Sequence, residues 1–307
     1  MSYLERNEQR LAWIFGSSRS GSTWLLRMLA DWDGVVPIDD PHLGHHLGVW
    51  RPIPLAWAAS EEEAPQLSTL LELKREEPGY FFSQRHRDAW WQPLRSLIQA
   101  RFEAQRGDDP AARSFSPPTY VVKEPASHVA PLLAELFPRS KLIFLLRDGR
   151  DVVDSWLAAY RPGSWAIDGG AFPVSAEGRL PLVRWLAGVW AYRTEAVLEA
   201  FEAREPQDRV LIRYEEVRER PAEGLATACD ALGLDDRRAE EIAARHRFER
   251  LPERARGPLR EARSAAPGGW RENLSPRERA ALHEALGATL ERVGYLSEDE
   301  GLEPLAV

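Results

Sequence analysis

Leu11-Ala-Trp-Ile-Phe-Gly-Ser-Ser-Arg-Ser-Gly-Ser-Thr-Trp24 decides how this 307-residue chain is read. The run "LAWIF" (residues 11–15) is continuously apolar and short, as a strand covered on both faces is. "GSSRSGST" (residues 16–23) is a glycine- and serine-rich turn, and "WLLRMLADW" from Trp24 has helical spacing. A strand, a tight turn and a helix start aim backbone N–H groups and the positive end of a helix dipole at one point, which suits a phosphate. Gly16 and Gly21 stand five apart, with a hydroxyl pair after the second, the frame of a phosphate-binding loop. Ser22 occupies the place of the lysine that nucleoside-triphosphate enzymes carry there, and the positive charge sits at Arg19, inside the turn. A Gly/Ser turn can also merely join a strand to a helix, so a second site must decide.

Further apolar runs, "TYVVK" (119–123), "KLIFLLR" (141–147) and "RVLIRY" (209–214), alternate with helical stretches such as "SHVAPLLAELF" and "RDVVDSWLAAY". Strands alternating with helices predict an α/β fold with a central parallel sheet and helices on both faces. Residues 31–60 are rich in Pro, Gly, His and Trp with little periodicity, and are expected to build a pocket wall. "RGDDPAARSFSPP" reads as a solvated connection, and "RPGSWAIDGGAFPVSAEGRLP" as a mobile loop. Helices are predicted after Pro221, with irregular chain over "ERLPERARGPLREARSAAPGGW". Nothing divides residues 1–307 into separate domains.

A net charge of −8 and a pI near 5.5 argue against nucleic-acid or membrane-surface partners, both anionic. Any phosphate site must be local. No stretch approaches the roughly 20 apolar residues of a membrane span. The N-terminus "MSYLERNEQR" is too polar for a signal peptide, so a cytoplasmic location is expected. The single cysteine, Cys229, excludes an internal disulfide and reads as a small buried residue. Lysine occurs only at positions 74, 123 and 141, so arginine carries most of the positive charge.

The second site is "KLIFLLRDGRDVVDSWLAAY": a buried strand, Arg147 at its end, a turn at Asp148-Gly149, and Ser155 about two turns into the next helix. An arginine and a hydroxyl so placed could clamp another phosphate; taken alone they are equally an exposed arginine and a neutral serine. The two segments together resemble the sulfotransferases that use 3′-phosphoadenosine 5′-phosphosulfate (PAPS). Arg19-Ser20-Gly21-Ser22-Thr23-Trp24 matches that family's 5′-phosphosulfate loop. Arg147-Asp148-Gly149-Arg150-Asp151-Val152 with Ser155 matches its 3′-phosphate motif. "LIRYEEV" and "RSAAPGGWRENLS" are similar to two further family segments, so the resemblance runs from residue 11 to about 275, leaving residues 276–307 as a C-terminal helix and tail.

The resemblance implies a three-layer α/β/α fold related to the P-loop nucleoside triphosphate hydrolases. It implies PAPS as co-substrate, adenosine 3′,5′-bisphosphate as product, and no metal. Arg19 would stabilise charge on the bridging oxygen and 5′-phosphate. Ser20, Gly21, Ser22 and Thr23 would cradle that phosphate, Trp24 would stack on adenine, and Tyr214 would lie near it. Arg147, Ser155 and Arg263 would hold the 3′-phosphate, although Ser264-Ala265 replace the Lys-Gly usual after that late arginine.

The acceptor side departs from the cytosolic branch of the family. Pro125 in "VVKEPASH" stands where that branch has its basic histidine, and Lys-Glu-Pro is similar to the Lys-Asp-Pro of tyrosylprotein and carbohydrate sulfotransferases. Those branches use a carboxylate after the first helix, and Asp40 in "VVPIDDPHLGHH" lies at the matching separation from Arg19. Asp40 is therefore the first candidate for general base, followed by Asp39 and His42. A turn or helix cap is the plain alternative for Asp39-Asp40-Pro41. Lys123 would contact the sulfuryl or bridging oxygens. His42, His45 and His46 have metal-ligand spacing, but Pro41 and Gly44 weaken the helix such a site needs. Trp50, Trp57, Trp90 and Trp91 suggest an aromatic-lined acceptor pocket or plain core packing. The acceptor is expected to be a small molecule, carbohydrate or other molecule bearing a hydroxyl, with an amine as the second choice of nucleophile. A nucleotide kinase or NTPase on the same loop, and a non-catalytic nucleotide-binding module, are the rival readings. The oligomeric state stays open.

Overall fold

Strands β1 (Leu11–Phe15), β2 (Val35–Asp39), β5 (Thr119–Lys123), β6 (Lys141–Leu146) and β7 (Arg209–Arg213) form one parallel sheet in the order β2-β5-β1-β6-β7. The computed structural model describes residues 2–47, 53–54, 67–108, 117–171, 173–255, 257, 259–260 and 266–296. A second, two-stranded antiparallel sheet pairs β3 (Ile53–Pro54) with β4 (Leu67–Ser68). The helices used below are α1 (Ser22–Leu29), α2 (Leu43–His46), α3 (Arg87–Asp108), α4 (Ala130–Leu136), α5 (Gly149–Ala159), α6 (Ala176–Glu202), α7 (Tyr214–Glu219), α8 (Pro221–Leu232), α9 (Ala239–Arg245) and α10 (Pro276–Arg292).

Successive side chains of a strand point to opposite faces, and here both faces are apolar. Trp13, Phe15, Tyr120, Val122, Phe144 and Leu146 join a core with α3, α4, α5, α6 and α10. Ala12, Ile14, Val121, Ile143 and Leu145 join another with α1, α8 and α9. The result is the predicted three-layer α/β/α arrangement. Buried Trp13 stacks on Phe15 with centroids 5.9 Å apart and donates from Nε1 to Ser140 Oγ at 2.9 Å, which satisfies its one polar atom. Cys229 is fully buried on α8.

Two expectations need correction. The segment 31–60 was expected to be irregular, yet Val35–Asp39 is the outermost strand of the main sheet, paired in register with β5 from Val35 opposite Thr119 to Asp39 opposite Lys123. Pro37 masked it, because proline disrupts a strand pattern although an edge strand tolerates it. The stretch 161–181, read as a mobile loop, contains the short helix Trp165–Asp168, and α6 begins at Ala176, capped by the Ser175 hydroxyl. "RGDDPAARSFSPP" lies mostly outside the described residues. Among those residues no helix is long and apolar enough to cross a membrane.

Candidate active site

All five strands of the main sheet are parallel, so their carboxyl ends share one edge, and the loops after β1, β2, β5, β6 and β7 gather there. Gly16 carries the chain past β6 so closely that a Cβ would sit 2.3 Å from the Leu145 carbonyl oxygen. Gly21 caps α1 at φ 89°, and a Cβ there would lie 2.7 Å from the Tyr214 ring. Between them Arg19 adopts a left-handed φ of 76°, an uncommon conformation for a residue with a side chain. Its Nε donates to Ser155 Oγ at 3.2 Å. Arg147 Nη1 donates to the Arg19 carbonyl oxygen at 2.8 Å, and its guanidinium lies 4.3 Å from the Tyr214 ring centroid. The two sequence motifs thus meet directly, with buried Tyr214 packed beneath both. Two donors at this meeting point, the Ser20 hydroxyl and Arg147 Nε, are shut off from solvent with no hydrogen-bond partner. Tyr214 opens α7 rather than ending the strand, and burial raises its hydroxyl pKa.

Trp24 packs against the α1-side core, and its Nε1 donates to the His246 carbonyl at 2.7 Å, so the indole is fixed in place. Thr23 Oγ1 accepts from Lys123 Nζ at 2.8 Å. The same ammonium pairs with Asp39 Oδ1 at 2.8 Å and Asp40 Oδ1 at 2.9 Å. One buried lysine therefore links the phosphate loop to both candidate carboxylates. Asp40 and His42 have left-handed φ values of 49° and 53°, and the Asp40 N–H donates to the Lys123 carbonyl at 3.1 Å. The turn is held by Glu124, whose Oε2 accepts from Leu43 N at 2.8 Å and Oε1 from Ala126 N at 3.1 Å. Burial pushes the Glu124 carboxyl up to about 7 against those hydrogen bonds. Glu124 escaped the sequence reading, and its place between Lys123 and Pro125 was the only signal for it.

On the other flank the Asp148 side chain caps α5 and binds the Arg150 guanidinium through both oxygens, at 3.0 and 2.8 Å. Arg150 is thereby committed within the motif. Asp151 accepts from Gly268 N at 2.6 Å and Trp270 N at 3.3 Å, which ties the late "PGGW" segment to α5; burial raises its pKa. Arg263 lies outside the described residues. So do Trp50 and Trp57. Trp90 and Trp91 contact each other at 5.3 Å, Trp90 donates to the Ser83 carbonyl, and Arg87 covers Trp91 at 3.6 Å. Trp90 is buried, and Trp91 packs partly buried against the sheet core.

The fold and its edge define an α/β protein with a glycine- and serine-rich turn after the first strand and an arginine–serine pair after a later one. A sequence model of the sulfotransferase family matches residues 12–238, and the chain belongs to that family. The structure resembles mouse sulfotransferase SULT7A1 complexed with PAP, at 14% identity and a TM-score of 0.55, covering 95% of this chain and 91% of that one. It also resembles sulfotransferase STF9 from Mycobacterium avium, at 13% identity and a TM-score of 0.50, covering 94% and 80%. At such identities the likeness is one of fold. No curated protein sequence matches the chain.

Proposed function

We propose that this protein transfers the sulfuryl group of PAPS to a hydroxyl of a small-molecule or carbohydrate acceptor. The observation that carries the reading is the contact between the two motifs: Arg19 bonded to Ser155 and Arg147 bonded to Arg19 bring the proposed 5′-side and 3′-side anion grips to one sheet edge. A doubly phosphorylated adenosine needs both grips, and a nucleoside triphosphate would need the absent loop lysine. The unpartnered Ser20 and Arg147 donors fit anionic oxygens, and the PAP-bound relative shares the fold.

In this reading Ser20, Gly21, Ser22 and Thr23 cradle the 5′-phosphate. Arg147 and Ser155 hold the 3′-phosphate together with Arg263, and Trp24 and Tyr214 flank the adenine. The Asp40 carboxylate takes the proton of the acceptor hydroxyl as its oxygen bonds to sulfur. The bond from sulfur to the 5′-phosphate oxygen breaks, and Arg19 and Lys123 offset the charge left on that oxygen. The released nucleotide is adenosine 3′,5′-bisphosphate. Asp39 shares Lys123 with Asp40 and remains the alternative base, with His42 behind it.

Radiolabelled PAPS and a panel of phenols, sugars and alcohols test the reading directly, with label expected in a sulfate ester. Arg19→Ala should slow transfer by at least a hundredfold while retaining donor affinity, and Arg147→Ala should weaken donor binding first. Equal kinetic behaviour of the two variants would contradict this division of roles.

A further inference from the structure

Helix α6 packs against α4 and the segment after β5 and brings Arg193 to the loop after β1, where its Nη1 donates to Ser18 Oγ at 3.4 Å. That is a long contact for an arginine. Its Nε is shut off from solvent and has no partner, and among the described residues Arg193 makes no ion pair. Burial pulls the guanidinium down to about 10, with Glu124 pulling the other way, so it stays cationic at neutral pH. Close enough to feel its charge lies His128, buried, with both ring nitrogens unpartnered. Burial and then the Arg193 charge hold that imidazole down at about 2, so it is neutral. The Tyr192 ring, next along α6, is 6.2 Å from the imidazole.

A half-buried guanidinium with an unpartnered donor and no touching carboxylate is destabilised, a cost that an arriving anion offsets. The position is specific. Ser18 directly precedes Arg19, and Lys123, next to Glu124, reaches the same loop through Thr23. A planar guanidinium presents paired donors to tetrahedral oxyanions, which an ammonium cannot do. We infer that Arg193 grips the sulfuryl oxygens of the donor at the Ser18 rim of the loop, with His128 completing the wall of that subsite. The inference rests on the donor proposed above. An acidic group on the acceptor would bring the same oxyanion chemistry from the other side.

Calorimetric titration separates these cases without knowledge of the acceptor. Wild type, Arg193→Gln and Arg193→Lys are each titrated with PAPS and with adenosine 3′,5′-bisphosphate, and the bisphosphate complex is then titrated with inorganic sulfate. Arg193→Gln is expected to lose about tenfold or more in affinity for PAPS, as for a charge-assisted contact. Its bisphosphate affinity should stay within twofold, and Arg193→Lys should lose less. Equal losses for both nucleotides would mean that Arg193 only shapes the loop, and would overturn the inference. So would unchanged PAPS affinity with lost sulfate binding, which would assign Arg193 to the acceptor. If Arg193→Gln does not fold, a selective PAPS deficit in Arg193→Lys still decides the matter. Wild type that binds neither nucleotide would refute the proposed donor, an outcome distinct from wild type binding both while the variants match it.

Discussion

Arg19, Asp40 and His42 are the non-glycine residues with left-handed backbone among those described, and all three were singled out by sequence alone. Such conformations cost about 1–3 kcal/mol each and persist where the surroundings over-determine them, often at functional sites. At Arg19 the neighbours are Ser155, which accepts from the side chain, and Arg147, which holds the carbonyl. At Asp40 they are Lys123, which binds both backbone and carboxylate, and Glu124, which anchors the next residues. Asparagine keeps the strain at position 40 and glycine removes it, whereas both remove the proposed base. Asp40→Gly is therefore expected to melt no lower than Asp40→Asn, with about 1 kcal/mol in its favour. Both should lose at least a hundredfold in transfer rate at unchanged affinity for adenosine 3′,5′-bisphosphate. Near-normal turnover in either variant would remove Asp40 as base and return Asp39 and His42 to first place.

The turn between β2 and α2 depends on a carboxylate from β5's far end. Glu124 is 1% exposed and spends its oxygens on backbone N–H groups of Leu43 and Ala126, with Gly44 a further donor. Burial raises its pKa from 4.5 to about 7, and the nearby Asp40 charge adds to the effect. A raised carboxyl pKa means that the folded state binds the proton more tightly than the unfolded chain does. The associated stability is present below pH 4.5 and is lost as pH rises through 7, about 3 kcal/mol in full. Glu124→Gln abolishes that titration. Its melting temperature relative to wild type should therefore climb between pH 5 and 8, whatever the offset at pH 5 from altered hydrogen bonds. A difference that stays flat across that range would show that Glu124 titrates like an ordinary surface carboxylate.

At the scale of the whole molecule, what sequence revealed and what it hid follow one physical line. β1, β5 and β6 are covered on both faces, so their apolar runs are unbroken and legible; β2 sits at an edge with Pro37 inside it and was missed. The loop and the arginine–serine pair were legible because each is built within about ten residues of chain. Glu124, Arg193 and the link from Asp151 to Gly268 were not, since each gains its role from partners on elements far off in sequence. The same long-range wiring makes a global prediction. The proposed donor site draws Arg19 from after β1, Arg147 from after β6 and Tyr214 from after β7, while Asp151 ties the segment before α10 to α5. A ligand that bridges these elements binds only the folded chain, so it must stabilise the whole molecule by mass action. Adenosine 3′,5′-bisphosphate at a hundredfold excess over its Kd should add about 2.7 kcal/mol, read as a rise in melting temperature of several degrees. Magnesium ATP, lacking a 3′-phosphate and meeting a loop without lysine, should shift it far less. Arg147→Ala should abolish most of the bisphosphate shift. Equal shifts by the two nucleotides would instead favour a nucleotide kinase or NTPase built on the same loop.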